Sequence, residues 1–340
     1  MATPHTSSGT GSVVLLSQND VRRLLTMPDC IAAVEQAFRL YGEGKTTKPG
    51  VLGVHTEGGG FHIKAGILGE EKPYFVAKVN GNYPGNPGRG LPTIQGVLYL
   101  ADARNGVPLA LMDSAEITNL RTGAATGIAA KYLARKDCAT ALLIGCGVQA
   151  RTQLQALAAV LPLKQVFAYS IDAAQAKAFA QRMAAELRID VTPAEDFRSV
   201  IGRCDACVTC TTAHEWFLSA ADVPPGMFIA AVGADNEHKQ ELQPELLAKA
   251  KVVTDITDQC AAMGDLHHAL AAGLFTRDRV HAELGEIVAG KKPGRTSTQE
   301  ITIFDSTGMA LQDVAAAVAV YEAAALQGSA QRFGLVDRSS

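Results

Sequence analysis

The stretch that most constrains the fold is Ala139–Arg151, with the sequence Ala-Thr-Ala-Leu-Leu-Ile-Gly-Cys-Gly-Val-Gln-Ala-Arg. Its first six residues are small and apolar, which is typical of a buried strand. Gly145 and Gly147 then permit a tight turn, and the apolar positions after Val148 keep helical spacing. The stretch therefore predicts a strand, a glycine turn and a helix in succession.

The turn has the form Gly-x-Gly-x-x-Ala, which is typical of dinucleotide binding. The first glycine allows the turn, and the second lets a pyrophosphate approach the bare backbone. Ala150 takes the place of the third glycine, where the helix packs on the strand. Free amide groups at the N-terminus of the helix would hold the phosphates. Glycine turns also close many strands that bind nothing, but the strand and helix on either side favour a nucleotide site here.

The rest of the chain divides into two kinds of pattern. Before the glycine turn, short strands separated by Gly- and Pro-rich turns predict an antiparallel β region. After it, strands alternate with helices, which predicts a Rossmann-type, doubly wound parallel sheet. The fold class is therefore α/β, with an additional α+β domain. We expect a disordered tail over residues 1–12, an α+β domain over 13–120 plus 315–340, and a Rossmann domain over 121–314.

Composition excludes several classes of partner. The chain has 31 basic and 34 acidic side chains, so it shows no electrostatic footprint for nucleic acid or an anionic membrane. Its N-terminus has neither the basic nor the apolar region of a signal peptide, and no apolar run reaches the ~18 residues of a membrane span. We expect a soluble, cytoplasmic protein that acts on a small molecule.

Three cysteines at Cys-x-x-Cys-x-x-Cys spacing, Cys204, Cys207 and Cys210, raise the question of a metal. They lie in an apolar segment with the character of a core strand, where side chains alternate between faces, so Cys207 would point away from the other two. No fourth cysteine follows at ferredoxin spacing. We therefore expect reduced structural thiols and no metal site.

Lys78 is unusual because it lies within an apolar strand and shares a face with Tyr74 and Asn80. A lysine in that position lies at a sheet edge or points into a site, and the pattern leaves both open. His62 and Lys64 share a face of the preceding strand, where either residue could simply be solvated.

Arg121 lies among small apolar residues at helical spacing, so its guanidinium emerges from a face that ought to be packed. An arginine there needs an anionic partner. The pattern leaves open a substrate carboxylate bound bidentately or an internal acid.

Asp235 follows an apolar strand through Gly233 and Ala234, and so falls beyond the carboxyl end of a strand, where α/β sheets bind ligands. It could act as a general acid/base, anchor an amine, or cap a helix beginning near Lys239. The segment Asp305–Gly308 has the same position, and its residues could contact a nicotinamide or cap a helix.

Taken together, the chain from about Val13 to Gly328 resembles the ornithine cyclodeaminase/μ-crystallin family. Seven ordered motifs carry the resemblance: Ala77–Asn82, Gly90–Gly96, Met112–Ala125, Gly145–Ala150, Gly233–Asp235, Lys239–Leu242 and Phe304–Gly308.

The resemblance implies that the β-rich part, with the C-terminal helix, binds a small amino or imino acid and forms a homodimer, while the middle of the chain binds NAD(P). Lys78 matches the substrate-contacting lysine, Arg121 the carboxylate-binding arginine, and Asp235 the aspartate that handles the amine and its protons. Lys48 is the nearest match to a basic residue that is usually arginine, and a lysine cannot copy the bidentate fork. Lys64 is a further candidate for substrate binding.

By the same resemblance, cofactor contacts are expected at Thr122, Gly145, Gly147, Val148, Gln149, Ala150, Ser170, Asp172, Thr211, Val232, Gly233, Ser306 and Gly308. An acidic residue that binds the ribose 2′-hydroxyl is expected about 20 residues beyond the glycine turn. Ser170 occupies that position and Asp172 follows it, with no adjoining arginine to hold a 2′-phosphate. The sequence thus favours NAD over NADP.

The family chemistry is hydride transfer at the α-carbon of a small amino acid. The first candidate is the redox-neutral conversion of L-ornithine to L-proline and ammonia. The second is a net imine reductase or amino-acid dehydrogenase, acting on Δ1-pyrroline-2-carboxylate, alanine and pyruvate, or iminosuccinate. A second carboxylate bound by His62, Lys64 and Arg89 would favour iminosuccinate. The third candidate is a non-catalytic, μ-crystallin-like binding protein, which would have no need of the carboxylate at Asp235.

Overall fold

The computed structural model describes residues 12–328 and 330–335, which form two compact units. The first unit contains the described residues up to Thr26, Thr46–Thr118 and those from Asp313 onward, and the second contains Met27–Lys45 and Asn119–Gln312. The tail predicted over residues 1–12 lies outside the described residues, except for Ser12, which begins the first strand.

In chain order the elements are β1 (Ser12–Leu16), α1 (Gln18–Leu24), α2 (Met27–Gly42), β2 (Gly50–Thr56), β3 (Gly59–Leu68), β4 (Tyr74–Asn82), β5 (Ile94–Asp102), β6 (Pro108–Asp113), α3 (Ser114–Leu133), β7 (Thr140–Ile144), α4 (Val148–Val160), β8 (Gln165–Tyr169), α5 (Ala173–Leu187), β9 (Asp190–Pro193), α6 (Arg198–Ile201), β10 (Ala206–Thr209), β11 (Phe228–Ala231), α7 (Pro244–Lys249), β12 (Lys251–Thr254), α8 (Thr257–Met263), α9 (Asp265–Ala271), β13 (Ala282–Glu283), α10 (Leu284–Val288), β14 (Thr302–Asp305), α11 (Ala310–Gln327) and β15 (Gln331–Gly334).

The first unit is built on a seven-stranded sheet of order β15-β1-β6-β5-β4-β3-β2. Its β2 to β6 strands are antiparallel neighbours, which confirms the predicted β region, and β1 adds to β6 in parallel. Ser17 is the N-cap of α1, where Ser17 and Asp20 form a capping box. Along β4 the buried side chains alternate from Tyr74 to Lys78, so this lysine lies on the buried face of the strand.

The second unit confirms the predicted parallel, doubly wound sheet, of order β13-β12-β14-β11-β10-β7-β8-β9. From β7 the chain proceeds to β8 and β9 on one side, and then crosses to β10 and β11 on the other. This reversal is a topological switch point, the place where open α/β sheets bind ligands beyond the carboxyl ends of their strands. The glycine turn follows β7 directly, so it lies at that point.

One boundary differs from the prediction. Residues 27–45 were expected in the β-rich domain, whereas α2 belongs to the second unit because it packs on α10 and α4. The contact with α10 is close, since a Cβ added at Gly42 would lie 1.9 Å from the carbonyl oxygen of Gly285. Arg39 also donates to the carbonyl of Val288 at 3.0 Å. Which task each unit performs stays a prediction.

The three closely spaced cysteines are free thiols, and two of them donate to backbone carbonyls. Cys204 donates to the carbonyl of Val200 and Cys210 to that of Gly145, each at 3.4 Å, while Cys207 is fully buried in the core. Burial raises the pKa of Cys204 to about 12. Within residues 12–328 and 330–335 no group of three or more His, Cys, Asp or Glu side chains is arranged to hold a metal ion. No helix in this part of the chain has the length and apolar character needed to cross a membrane.

Candidate functional site

The turn after β7 presents bare backbone at the switch point. Gly145 has a φ of +100°, in the left-handed region that favours glycine, and an added Cβ would lie 2.7 Å from the carbonyl oxygen of Cys210. Gly147 is extended, precedes the first turn of α4, and would present an added Cβ to open space. Ala150 is fully buried where α4 meets the sheet. The turn is therefore closed on its sheet side and open on the other.

These features fit a dinucleotide pyrophosphate. Gly147 has no side chain with which to cap α4, so the amides of the first turn are left for an anion. Val148, at the start of the helix, is 75% exposed, and the side-chain amide of Gln149 donates to Asn119 at 3.1 Å. The turn combines steric access with unused donors, which is what a bound phosphate requires.

The residues predicted to read the ribose form a helix cap. Ser170 follows β8, donates to the side chain of Gln175 at 2.8 Å and accepts from the amide of Asp172 at 3.2 Å. One carboxylate oxygen of Asp172 accepts from the amides of Ala174 and Gln175 and so caps α5. Between them, Ile171 is 98% exposed.

Several predicted cofactor contacts lie at the same sheet edge, but their backbone amides are bound within the protein. The amides of Thr211 and Gly233 donate to Glu241 at 2.7 and 2.9 Å, and the amide of Gly308 donates to Asp255 at 2.6 Å. Cofactor contact at these positions, and at Thr122, Val232 and Ser306, stays a prediction. A cofactor that binds there has to contact other groups, because the amides of Thr211, Gly233 and Gly308 already donate to Glu241 and Asp255.

Arg121 is buried on α3, with only 6% of its surface exposed. Its Nη1 donates to the side-chain oxygen of Gln312 at 2.9 Å. A Cβ added at Gly308 would lie 2.6 Å from that same nitrogen, so the glycine makes room for the guanidinium. The sequence left a substrate carboxylate or an internal acid as its partner, and both stay open; one contact of the guanidinium is with the neutral amide of Gln312.

Asp235 lies in an irregular segment after β11, where its side chain is 55% exposed. Its carboxylate pairs with Lys239 at 2.7 Å. The alternative that Asp235 caps a helix beginning near Lys239 is wrong, because the next helix, α7, begins at Pro244 and its N-cap is Gln243. Asp235 thus presents a partly exposed carboxylate beside a cation.

Lys78 is buried in the first unit, with 3% of its surface exposed. The sheet-edge interpretation is wrong, because β4 lies between β3 and β5. Its Nζ donates to Asp313 at 2.8 Å and to the hydroxyl of Thr118 at 3.4 Å. Lys64 lies directly opposite on β3 and is half-buried, so two cationic side chains share one face of the sheet.

The other basic candidates in the first unit are on its surface. Lys48 and Arg89 are exposed, Lys48 before β2 and Arg89 in a short 3-10 turn. His62 is exposed on β3, with its ring 6.3 Å from that of His55. Their assignment to a substrate carboxylate stays a prediction.

Sequence reasoning missed the carboxylates that hold the second unit's strand ends. Glu241, Asp255, Asp265 and Asp305 are each fully buried. Burial raises the pKa of Glu241 and of Asp265, and the neighbouring Asp305 and Glu241 carboxyls raise that of Asp265 further. The pKa of Asp305 is raised to about 7 by burial and by Asp255 and Glu241. A signal was present in the motif Lys239–Leu242, but its glutamate had no evident partner in the sequence.

A family model described as the ornithine cyclodeaminase/mu-crystallin family matches residues 12–328. The chain belongs to this family. It is 43% identical to an alanine dehydrogenase of Archaeoglobus fulgidus over 311 residues, which are 91% of this chain and 94% of that one.

Two solved structures of family members are similar over their whole length. One is an archaeal alanine dehydrogenase dimer with bound NAD, which is 40% identical, with a TM-score of 0.90 over 96% of this chain and 100% of that one. The other is the Thermococcus litoralis Δ1-pyrroline-2-carboxylate reductase in complex with NADH and L-proline. It is 36% identical, with a TM-score of 0.89 over 94% and 99% of the two chains.

The raised pKa of Asp305 predicts a pH dependence of stability. The unfolded carboxyl loses its proton near its ordinary pKa of 3.8, while the folded one keeps it to about 7, so the folded state binds the extra proton in between. The free energy of unfolding should therefore fall as pH rises from about 4 to about 7. In Asp305→Asn this part of the dependence, roughly 4 kcal/mol, should be absent. Urea unfolding of both proteins at a series of pH values measures it.

The matched control is Asp278→Asn, since Asp278 is exposed in a surface turn. This variant should follow the wild-type pH profile. Parallel profiles for wild type and Asp305→Asn would contradict the assignment of the proton to this carboxyl.

Proposed function

We propose that this protein is an NAD-dependent oxidoreductase acting at the α-carbon of a small amino acid, in the manner of an amino-acid dehydrogenase or imine reductase. The observation that carries the proposal is the open glycine turn at the switch point, in a chain that belongs to this family. The names of the similar proteins, an alanine dehydrogenase and an imino-acid reductase, favour a net redox reaction. Cyclisation of L-ornithine, the first candidate from the sequence, is the alternative.

In the direction of oxidation, the substrate gives up a hydride from its α-carbon and a proton from its nitrogen. Bound NAD supplies the two-electron acceptor. Water then adds to the imine carbon, and ammonia leaves as the 2-oxo acid forms. The protein's part is to hold the carboxylate, fix the α-carbon and move protons.

Each role falls to a residue with suitable surroundings. Arg121 binds the substrate carboxylate, because its planar guanidinium suits a carboxylate and Gln312 holds it in a fixed orientation. Asp235 accepts and returns protons, since its carboxylate is accessible and lies 2.7 Å from the ammonium group of Lys239. Lys78 is the substrate-contacting lysine of the first unit, where Asp313 keeps it paired.

NAD is the preferred cofactor. A ribose 2′-phosphate needs a cationic partner, whereas Ser170 and the exposed Ile171 supply none. Asp172 adds a negative charge at the start of α5, which disfavours a phosphate further. The 2′-hydroxyl of NAD is uncharged, so it needs no cationic partner and is not repelled by Asp172.

A second copy of this chain is the proposed partner. Every residue of the edge strand β2 is exposed, including the apolar Val51, Leu52 and Val54. An exposed apolar edge strand is a template for pairing with another chain. The similar archaeal alanine dehydrogenase is itself described as a dimer.

Sedimentation of the purified protein should give the mass of a dimer. The double substitution Val51→Lys and Val54→Lys should shift it toward the monomer, because two charges would have to be buried. Glu57→Lys, in the exposed turn after β2, is the control and should leave the mass unchanged. A wild-type monomer would contradict the proposal.

The function is tested by following absorbance of the reduced nicotinamide. Amino acids are supplied with NAD or NADP while ammonia release is assayed, imino acids with NADH or NADPH, and 2-oxo acids with NADH or NADPH plus ammonia. The panel contains L-alanine, L-proline, L-aspartate, L-ornithine and the matching 2-oxo or imino acids. A stoichiometric absorbance change is expected with NAD. Asp235→Asn should lower turnover by about 10²- to 10⁴-fold, because a general acid/base is lost, while NADH still binds.

The control variant is Glu237→Gln, an exposed carboxylate in the same segment, which should keep wild-type turnover. Ammonia released from L-ornithine without net NADH would establish the cyclodeaminase instead. Cofactor binding with no turnover on any substrate would favour a binding protein. Full activity in Asp235→Asn would remove that residue from the mechanism.

A further inference from the structure

The segment Gly233–Glu241, which contains Asp235 and Lys239, is closed by a single carboxylate. This segment, here called the Asp235 segment, forms neither helix nor strand. Oε2 of Glu241, at its end, accepts a hydrogen bond from the amide of Gly233, at its beginning, at 2.9 Å. A Cβ added at Gly233 would lie 2.4 Å from the Glu241 carboxyl carbon, so the fit leaves no space for another side chain.

The same carboxylate ties the segment to the end of β10. Oε2 of Glu241 also accepts from the hydroxyl of Thr209 at 2.6 Å, and Oε1 accepts from the amide and the hydroxyl of Thr211, each at 2.7 Å. Glu241 is fully buried and accepts four hydrogen bonds. Four donors compensate the removal of a carboxylate from water, so this side chain has one stable arrangement.

The backbone of Glu241 is held in turn by Asp265. Oδ1 of Asp265 accepts from the amides of Glu241 and Leu242 at 2.9 and 2.8 Å. Asp305, at the end of β14, accepts from the amide of Leu266 through Oδ2 at 2.9 Å. The other oxygens, Oδ2 of Asp265 and Oδ1 of Asp305, are buried without a hydrogen-bond partner in the described part of the chain. The two carboxyls influence each other electrostatically, so a proton on one of them would relieve the repulsion and supply a donor to this buried pair.

The surroundings of Asp265 and Asp305 are acidic. Glu241 and Asp255 face it from the segments after β11 and β12, and the thiol of Cys260 faces it from α8. On α9 itself, the rings of His267 and His268 contact the carbonyls of Ala261 and Lys239. A negative surrounding of this kind favours retention of a proton by the pair.

Asp235 depends on these anchors for its position. The side-chain contacts of its carboxylate are with Lys239 and Asn236, both inside the segment, so they move with it. The later part of the segment also contacts Ala213 through the amide of Gln240 at 3.0 Å. Asp235 lies close to Gly233, the beginning of the segment, whose amide donates to Glu241.

We propose that Glu241 and Asp265 are positioning residues for Asp235, and that a proton shared by Asp265 and Asp305 completes the chain of contacts from the sheet edge to this segment. The inference rests on the proposed function for the role of Asp235. The anchoring itself depends only on the geometry of the second unit.

Hydrogen exchange of the peptide that covers the Asp235 segment tests the anchoring. In Glu241→Gln, one of the two oxygens becomes a donor, which faces either the amide and hydroxyl of Thr211 or the amide of Gly233 and the hydroxyl of Thr209. Exchange of the segment should therefore rise at least about tenfold. Asp265→Asn keeps an acceptor for both amides and replaces the shared proton with a permanent one, and should keep the segment protected. Asp265→Ala should lose that protection. Thermal unfolding verifies that each variant is folded.

The matched control is Glu245→Gln, an exposed carboxylate in the first turn of α7, which should exchange as the wild type does. Wild-type protection in Glu241→Gln would overturn the anchoring. Equal loss of protection in Asp265→Asn and Asp265→Ala would overturn the shared proton.

Kinetics test the link to Asp235. In folded Glu241→Gln, kcat at saturating cofactor and substrate should fall at least about tenfold, because Asp235 loses its position. Saturation separates this loss from any change in cofactor affinity caused by release of Thr211 and Gly233, which Glu241 also holds. A purely structural role would lower the unfolding temperature and leave kcat of the folded protein unchanged, which would overturn the positioning role. A wild type without turnover contradicts the proposed function, and the exchange measurements then still decide the anchoring.

Discussion

Parallel strands that end at one edge leave backbone donors which must find acceptors, and this requirement organises the second unit. After β10, β11 and β14 the chain turns away from the sheet, and these turns contain buried or half-buried amides. Glu241 accepts from Thr211 and Gly233, and Asp255 accepts from Gly308. An unsatisfied buried amide costs about 1–3 kcal/mol, so each carboxylate stabilises several groups at once. The loops at this edge are consequently fixed by acids from distant parts of the sequence.

The turn after β7 is the exception at this edge. Gly145 and Gly147 provide no side-chain acceptor, and the first turn of α4 has no capping side chain. An anion of the right size would complete it in the way that Glu241 completes the turns after β10 and β11. The same physical requirement therefore explains both the buried carboxylates and the proposed pyrophosphate site.

Local patterns predicted the strand, glycine turn and helix because each depends on neighbours within a few residues. Alternation along β4 placed Lys78 on one face, and helical spacing placed Arg121 on a packed face. The partners of these side chains could not be predicted, since Asp313 is distant in sequence from Lys78 and Gln312 from Arg121. The packing of α2 on α10 could not be predicted either, because the two helices are distant in sequence.

If bare backbone at the turn binds the cofactor pyrophosphate, a side chain introduced there should weaken cofactor binding. Fluorescence titration of the wild type and of Gly147→Val with NADH measures this directly. A side chain at Gly147 meets open space and the backbone there is extended, so the substitution should leave the unfolding temperature unchanged. We expect the wild type to bind NADH and the variant to bind at least about tenfold more weakly, because the new side chain excludes the phosphate. Equal affinity in the two proteins would contradict the account.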